Sequence, residues 1–229
     1  DLLLAIVKLM EDKMNVEEDV ASVGVQVIMM VEDSIRSYSS ILPNLYKYVL
    51  EQSRNFATEA LNAHQRTLRM RGRPKILLAR SYEEAMEIHD KYKDYMLGII
   101  SDVSFMKEGK KTQNAGFLLC NEFRKYDKAL PVIINSSEAS NRTYAEQNEM
   151  GFIQKSSKTY SKELRHLLAD TFGFGDFVFK NPQTGQEVAR IQNIQELQAA
   201  IFDIPDDSLR YHFERDHASR WLFSRAMFP

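Results

Sequence analysis

The chain has 229 residues, 44% of them hydrophobic, with 30 basic and 32 acidic side chains for a formal net charge of −2. That is long enough for one large domain, or one with appendages, to bury a proper core, and too nearly neutral for the basic footprint of a nucleic-acid binder. The single cysteine, Cys120, lies in the apolar stretch Phe117-Leu118-Leu119-Cys120, which rules out an intrachain disulfide and points to a buried thiol in a reducing compartment, by default the cytoplasm.

The first apolar run, Leu2 to Val7, falls far short of the roughly 20 residues of a membrane span, and no signal-peptide pattern is read, so no membrane partner is expected. A start in the middle of an apolar helical pattern leads us to expect a fragment with more protein on both sides. Leu2 to Met14 has helical spacing, and Asn15 with Glu18 predicts the cap of a second short helix. Val25–Val31 then reads as a strand buried on both faces, because such strands are almost continuously aliphatic, and it ends abruptly in Glu32 and Asp33.

From about Ser34 to Arg71 the pattern is mostly helical, closed by Gly72 and Pro74. A continuous helix from near Ile35 to Met70 would reach about 50 Å, past the edge of a small sheet. Its stripe of Ile41, Leu45, Tyr48, Val49, Phe56, Ala60, Ala63 and Leu68 needs a cover. The candidates are the N-terminal helix, the C-terminal segment, or a second copy in a homodimer through the long helix. Pro43 predicts a kink there or a start beside it. The cluster Arg66, Arg69, Arg71 and Arg73 reads as a solvated helix end favoured by the dipole, in preference to a nucleic-acid surface.

Lys75 to Ala79 is the next strand, Ser81 with Glu84 opens a helix to about Tyr95, and Leu97 to Ser101 returns as a strand ending at Asp102. A polar loop, Lys107 to Asn114, whose Lys107, Lys110 and Lys111 read as solvated, leads to a helix from Ala115 to Tyr126. Then follow a strand from Pro131 to Asn135 ending at Ser136, a helix around Asn141 to Asn148, a strand from Gly151 to Gln154 ending at Lys155, and a helix from Lys162 to Ala169. Strands alternating with helices in this way predict an α/β, doubly wound parallel sheet.

From Thr171 onward the pattern changes. Asp176–Phe179 and Glu187–Arg190 flank Asn181-Pro182-Gln183-Thr184-Gly185, which predicts a hairpin. Asn193 with Glu196 caps one helix, and Asp206-Asp207-Ser208 begins a second that runs through Leu209, His212, Phe213 and Trp221. His212 and His217 are five apart and share no helical face, so with Glu214 and Asp216 they read as structural or partner-docking residues, not as a metal site. No basic recognition helix supports a helix-turn-helix.

In an open α/β sheet the ligand crevice lies at the strands' carboxyl ends. Glu32, Asp33, Asp102, Ser136 and Lys155 each follow such a run and would gather along that edge. Carboxylates so placed repel unless a hard divalent cation sits among them, and Mg²⁺ prefers carboxylate, carbonyl and water oxygens. The expected site takes Mg²⁺ and an anion, a phosphoryl group.

These pieces in this order resemble a response-regulator receiver domain of the CheY-like kind, over about Gln26 to Leu168. They are the acidic pair in Val31-Glu32-Asp33-Ser34, the lone acid in Ile100-Ser101-Asp102-Val103, the hydroxyl in Pro131-Val132-Ile133-Ile134-Asn135-Ser136, and the lysine in Gly151-Phe152-Ile153-Gln154-Lys155. The resemblance implies a doubly wound five-stranded parallel sheet (flavodoxin-like, order 2-1-3-4-5) with an extended first helix and a small C-terminal α+β appendage. It divides the chain into residues 1–21, an N-terminal helix and linker that ends a preceding receiver-like domain, residues 22–170, the receiver with a long helical insertion at about 36–72, and residues 171–229, a hairpin-plus-helices connector.

It implies further that Asp102 accepts a phosphoryl group as an aspartyl phosphate, with Mg²⁺ held by Glu32, Asp33, Asp102 and the main-chain carbonyl of Ser104. Lys155 would pair with Asp102 at rest and with phosphoryl oxygens afterwards, Ser136 would donate a hydrogen bond to the phosphoryl group, and Phe152 would be the switch aromatic, acting by packing alone. The implied partners are a histidine kinase or phosphotransfer protein of a bacterial two-component phosphorelay, and an attached or partner output domain.

Some positions depart from the family pattern. Ser156 and Ser157 follow Lys155 where receivers usually have a proline, Met106 replaces another proline, and the loop from Ser104 to Ala115 is long and carries Lys107, Lys110 and Lys111, which either flank the phosphoryl group or, the favoured reading, are solvated. They sustain an alternative, a degenerate receiver acting as a phosphorylation-independent interaction or dimerisation scaffold. A haloacid-dehalogenase-type phosphatase also uses an aspartate nucleophile but wants a second aspartate two residues on, where Ser104 stands. The outer segments resemble those of bacterial multidomain proteins in which receiver-like domains precede a domain similar to phosphoenolpyruvate synthase and pyruvate phosphate dikinase. With no glycine-rich nucleotide loop of its own, this chain is expected to be a regulatory phosphoacceptor that turns over neither ATP nor pyruvate.

Overall fold

A computed structural model describes residues 2–60 and 62–228. In chain order its strands are β1 (Val27–Val31), β2 (Lys75–Ala79), β3 (Met96–Ser101), β4 (Phe105–Lys107), β5 (Lys110–Thr112), β6 (Val132–Ser136), β7 (Gly151–Gln154), β8 (Phe177–Lys180) and β9 (Glu187–Ile191). Its helices are α1 (Leu2–Val23), α2 (Ile35–Thr58), α3 (Ala63–Arg71), α4 (Tyr82–Tyr92), α5 (Ala115–Tyr126), α6 (Asn141–Gln147), α7 (Tyr160–Thr171), α8 (Ile194–Ala200), α9 (Asp206–Phe213) and α10 (His217–Ser224).

The aliphatic runs pair as one parallel sheet of five strands in the order β2-β1-β3-β6-β7. Counting only these five strands, that is order 2-1-3-4-5, a doubly wound α/β sheet whose direction of winding reverses between β1 and β3. Each face buries alternate strand residues. Ile28, Met30, Leu97, Ile100, Ile133 and Ile153 meet α2 and α7 through Leu45, Val49, Leu164 and Leu168. On the other face Val27, Met29, Val31 and Ile99 meet α4 and α5 through Ala85, Leu119 and Phe123.

β2 is an edge strand, and α1 lies along it. The Asp12 carboxylate, fully buried, accepts from the Ile76 amide at 2.9 Å, from Tyr46 Oη at 2.9 Å and from both terminal nitrogens of Arg73 at 3.1 and 2.5 Å. An otherwise unpaired edge amide is thereby satisfied. Beside it Lys75 pairs with Asp19 at 2.5 Å.

The structure corrects several local expectations. No second helix starts at Asn15: Asp12, Val16 and Val20, four apart on one buried face, carry α1 through it unbroken. The long helix does not run on to Met70. It stops at Thr58 and resumes as α3, which returns along α2 with Arg69 Nη1 on the Phe56 carbonyl at 2.7 Å; Leu61, within the predicted helix, lies outside the described residues. Pro43 sits inside α2 without ending it. Of the expected stripe, Ile41, Leu45, Tyr48, Val49 and Phe56 are covered within the chain by the sheet, α7 and Phe174, with Ala5 of α1 in the same cluster, whereas Leu68 on α3 is exposed. Arg73 is no solvated helix end but the buried partner of Asp12. The polar loop from Lys107 folds as the hairpin β4–β5.

Beyond α7, β8 and β9 pair antiparallel, and α8, α9 and α10 close a separate small core of Phe177, Phe179, Ile191, Leu197, Ile204, Ala218 and Trp221. The expected helix through His212 to Trp221 is two helices, broken at Asp216, whose backbone is left-handed (φ 55°). Trp221 Nε1 donates to the Gly175 carbonyl at 3.0 Å, and Arg220 reaches Asp127 at 2.5 Å, tying this unit to the sheet domain.

Candidate functional site

Strand ends place the chemistry. The Glu32 amide continues the ladder by donating to the Ala79 carbonyl at 3.0 Å, and the Asp102 amide donates to Val31 at 2.9 Å, so both acids leave the sheet at the carboxyl edge of adjacent strands. Oxygens of Glu32, Asp33 and Asp102 all lie within 4.8 Å of one another. Asp102 Oδ1 is oriented by the Val103 amide at 2.7 Å, and Glu32 Oε1 by the Ser34 amide at 3.1 Å.

Lys155, one residue past β7, is held by its own amide on the Ser136 carbonyl at 2.8 Å. Its ammonium lies 2.6 Å from Glu32 and 2.9 Å from Asp102. Burial pushes the Glu32 carboxyl up, and the Asp102 charge adds to this, against the opposing pull of Lys155 and the Ser34 amide. For Lys155 burial acts to lower the pKa, but the hydrogen bonds and charges of Glu32 and Asp102 outweigh it and leave the ammonium raised above its ordinary range.

Ser136 ends β6, buried, with Oγ accepting from the Glu138 amide at 3.1 Å and from Asn141 Nδ2 at 2.9 Å. Its hydrogen bonds therefore face the start of α6, not the carboxylates. Phe152 points inward, packed with Val103, Phe117, Ile134 and Ala145 and lying under the Arg142 guanidinium, 4.6 Å from the ring centre. Ser104 lies in the bend between β3 and β4. After Lys155, Ser157 Oγ bonds Glu163 at 2.5 Å, which organises the turn that Ser156 and Ser157 occupy. Beside Lys155 a cleft of about 210 Å³ opens, lined by Arg36, Ser37, Ser40, Ile41, Ser137 and Tyr160.

Two further positions border the site. Lys111, read as solvated, pairs with both oxygens of Asp33 at 2.9 and 2.7 Å. Only the Glu108-Gly109 turn, with φ of 51° and 70°, brings it back over the site. Gly116, in the first turn of α5, has no room for a side chain, since a Cβ there would stand 2.0 Å from the Asp102 carbonyl oxygen. A glycine in a helix costs about 1 kcal/mol relative to alanine, which is the cue the sequence did offer.

His212 and His217 face each other from α9 and α10, Nδ1 to Nδ1 at 3.0 Å, while His212 Nε2 accepts from the Lys180 amide at 2.9 Å. The helix break between them removes the premise of the spacing argument. The amide bond makes Nε2 an acceptor, so the His212 proton sits on Nδ1 and is donated to His217.

No family model matches the chain, and comparison with curated proteins gives no match. Among solved structures it is similar to a response regulator receiver domain protein from Clostridium thermocellum, at 18% identity over 64% of this chain and 94% of that one, with a TM-score of 0.43. It is also similar to a response regulator receiver protein from Sinorhizobium medicae, at 14% identity over 66% and 96%, TM-score 0.40. A third is the receiver domain of a histidine kinase from Arabidopsis thaliana, complexed with Mg²⁺ and BeF₃⁻, at 17% identity over 67% and 96%, TM-score 0.34.

Proposed function

We propose that this chain is a phosphorylatable switch of the receiver type, with Asp102 as phosphoacceptor. One observation carries the reading: three carboxylates within 4.8 Å at the ends of adjacent parallel strands, with the Lys155 ammonium on two of them at 2.6 and 2.9 Å. A carboxylate cluster of this kind is a hard-oxygen donor set suited to Mg²⁺. Glu32, Asp33, Asp102 and the main-chain carbonyl of Ser104 would hold the ion, which when bound neutralises charge on the phosphoryl oxygens.

In this reading an Asp102 carboxylate oxygen attacks the phosphorus of an acyl phosphate or phosphohistidine donor. The P–O or P–N bond to the donor breaks, and the leaving group departs with the bonding electrons. Lys155 exchanges one of its carboxylate contacts for a phosphoryl oxygen, a change of partner that a point-charge ammonium makes readily. Ser136 already accepts two hydrogen bonds, so its own proton is the one left to donate to the phosphoryl group. Phe152 would answer that movement by repacking. Arg36, which lines the adjacent cleft beside Lys155, would offer a positive charge to an anionic donor.

The proposal extends to a histidine kinase or phosphotransfer protein as donor. Residues 22–170 would be the receiver, residues 1–21 the end of a preceding domain and residues 171–229 a connector to an output domain, of the phosphoenolpyruvate synthase/pyruvate phosphate dikinase-like class that the outer segments resemble. A second reading is a phosphorylation-independent scaffold. It is favoured by the Lys111–Asp33 pair, which with Lys155 already meets much of the acidic charge.

The test is to incubate the intact chain with Mg²⁺ and acetyl phosphate and measure its mass. We expect the gain of one phosphoryl group, lost in Asp102→Asn. No gain under conditions that modify a control receiver overturns the switch in favour of the scaffold.

A further inference from the structure

We propose that Lys111 is a tethered counter-cation, which holds Asp33 while the site lacks a divalent ion and must leave when one binds, so that metal occupancy releases the β4–β5 hairpin. This rests on the metal-binding reading above and adds to it a residue outside the strand ends, together with a moving element.

Charge is the first argument. The three carboxylates face two ammonium groups, Lys155 and Lys111, for a local sum of −1. A divalent cation added with both lysines in place would bring the sum to +1, whereas departure of Lys111 brings it to zero. Geometry is the second. Lys111 engages both Asp33 oxygens, at 2.9 and 2.7 Å, so a metal ligated by Asp33 would share that carboxylate with an ammonium of like charge held against it. Exposure then decides which lysine goes. The Lys111 side chain is 54% exposed and keeps its hydration on release, whereas Lys155 is 16% exposed and bridges two carboxylates.

The hairpin is built to move about one fastening. Phe105 anchors its base, fully buried in the core. Along α4, the Glu108 amide donates to Glu83 at 2.9 Å, the Lys107 ammonium lies 5.0 Å over the Tyr82 ring, and Met106 bridges Ser81. On the site side the side-chain tie described is the Lys111–Asp33 pair. Exchange of that pair for a metal frees the site side of the hairpin and leaves it held by α4 and by the buried Phe105 base against α5.

The experiment is calorimetric titration of MgCl₂ into the intact chain and two variants, Lys111→Met and Lys110→Met. Lys110 is exposed on the same hairpin, with no carboxylate partner among the described residues. Its loss therefore changes the field at the site without removing a direct contact. An exposed ion pair is worth up to about fivefold in an equilibrium constant, and relief of like-charge repulsion adds to this, so Lys111→Met should bind Mg²⁺ at least about threefold tighter and Lys110→Met no more than about 1.5-fold tighter. The Gly109 amide resonance, at the hairpin tip, should move with Mg²⁺ in the wild-type chain and move less in Lys111→Met. Equal affinities for the two variants, with the wild type binding Mg²⁺, overturn this inference alone. A wild-type chain that binds no Mg²⁺ overturns it together with the metal-binding reading.

Discussion

Gly116→Ala joins the fold to the proposed chemistry. The added methyl would stand 2.0 Å from the Asp102 carbonyl oxygen and 3.0 Å from its carbonyl carbon and from Ser101 Oγ. Even a close C–H···O contact needs about 3.3 Å, so roughly 1.3 Å of separation must be found. α5 has little freedom to supply it, because Ala115, Leu119 and Phe123 are buried in the core and the Gly116 amide is bonded to Val103 at 3.0 Å. Much of the shift therefore falls on the Asp102–Val103 peptide, whose amide orients the acceptor carboxylate. Misplacement by about 1 Å can cost roughly 10²-fold in rate, and we expect that loss in initial phosphorylation by acetyl phosphate, followed by intact mass. Stability supplies an independent sign. Helix propensity alone would make the variant about 1 kcal/mol more stable, whereas overpacking costs about 1–3 kcal/mol. A urea midpoint at or below the wild-type value is expected. A variant more stable than wild type and phosphorylated at the wild-type rate would refute the reasoning.

Asp12→Asn should destabilise the chain by about 3–5 kcal/mol in urea unfolding, because Arg73 is left as a buried charge facing a neutral amide; a loss below about 1 kcal/mol contradicts the role given to this pair. The C-terminal unit should weaken in acid. Burial pushes His212 and His217 down to about 4, with the charge of His217 adding to the effect on His212 and nearby basic side chains adding to it on both. Their ordinary value is about 6.5, so below it the unfolded chain takes up protons that the folded one refuses. The stability they support is complete above about pH 6.5 and is lost as the pH falls toward about 4. Trp221, the single tryptophan, is buried in the same small core, and its emission should shift to the red over that interval. An unchanged spectrum down to pH 4 would show that this histidine pair does not govern the unit.

The amino-acid sequence by itself determined the strands of the central sheet and the groups that end them. An aliphatic run buried on both faces, and the charged residue that stops it, are properties of a few consecutive side chains, as in Val27 to Glu32 and Leu97 to Asp102. The same holds for the caps of α4 and α8, where Ser81 and Asn193 accept from the Glu84 and Glu196 amides at 3.1 and 2.9 Å. Only the tertiary structure decided who meets whom across distance. Asp12 and Arg73 look like ordinary surface charges until α1 lies on the β2 edge, and His212 and His217 seem to point apart until the helix breaks between them. Lys111 is one more solvated lysine until a two-residue turn folds it onto Asp33. In each case the partner is set by packing of elements far apart in the chain or by a local reversal of direction, and neither helical nor strand periodicity records that.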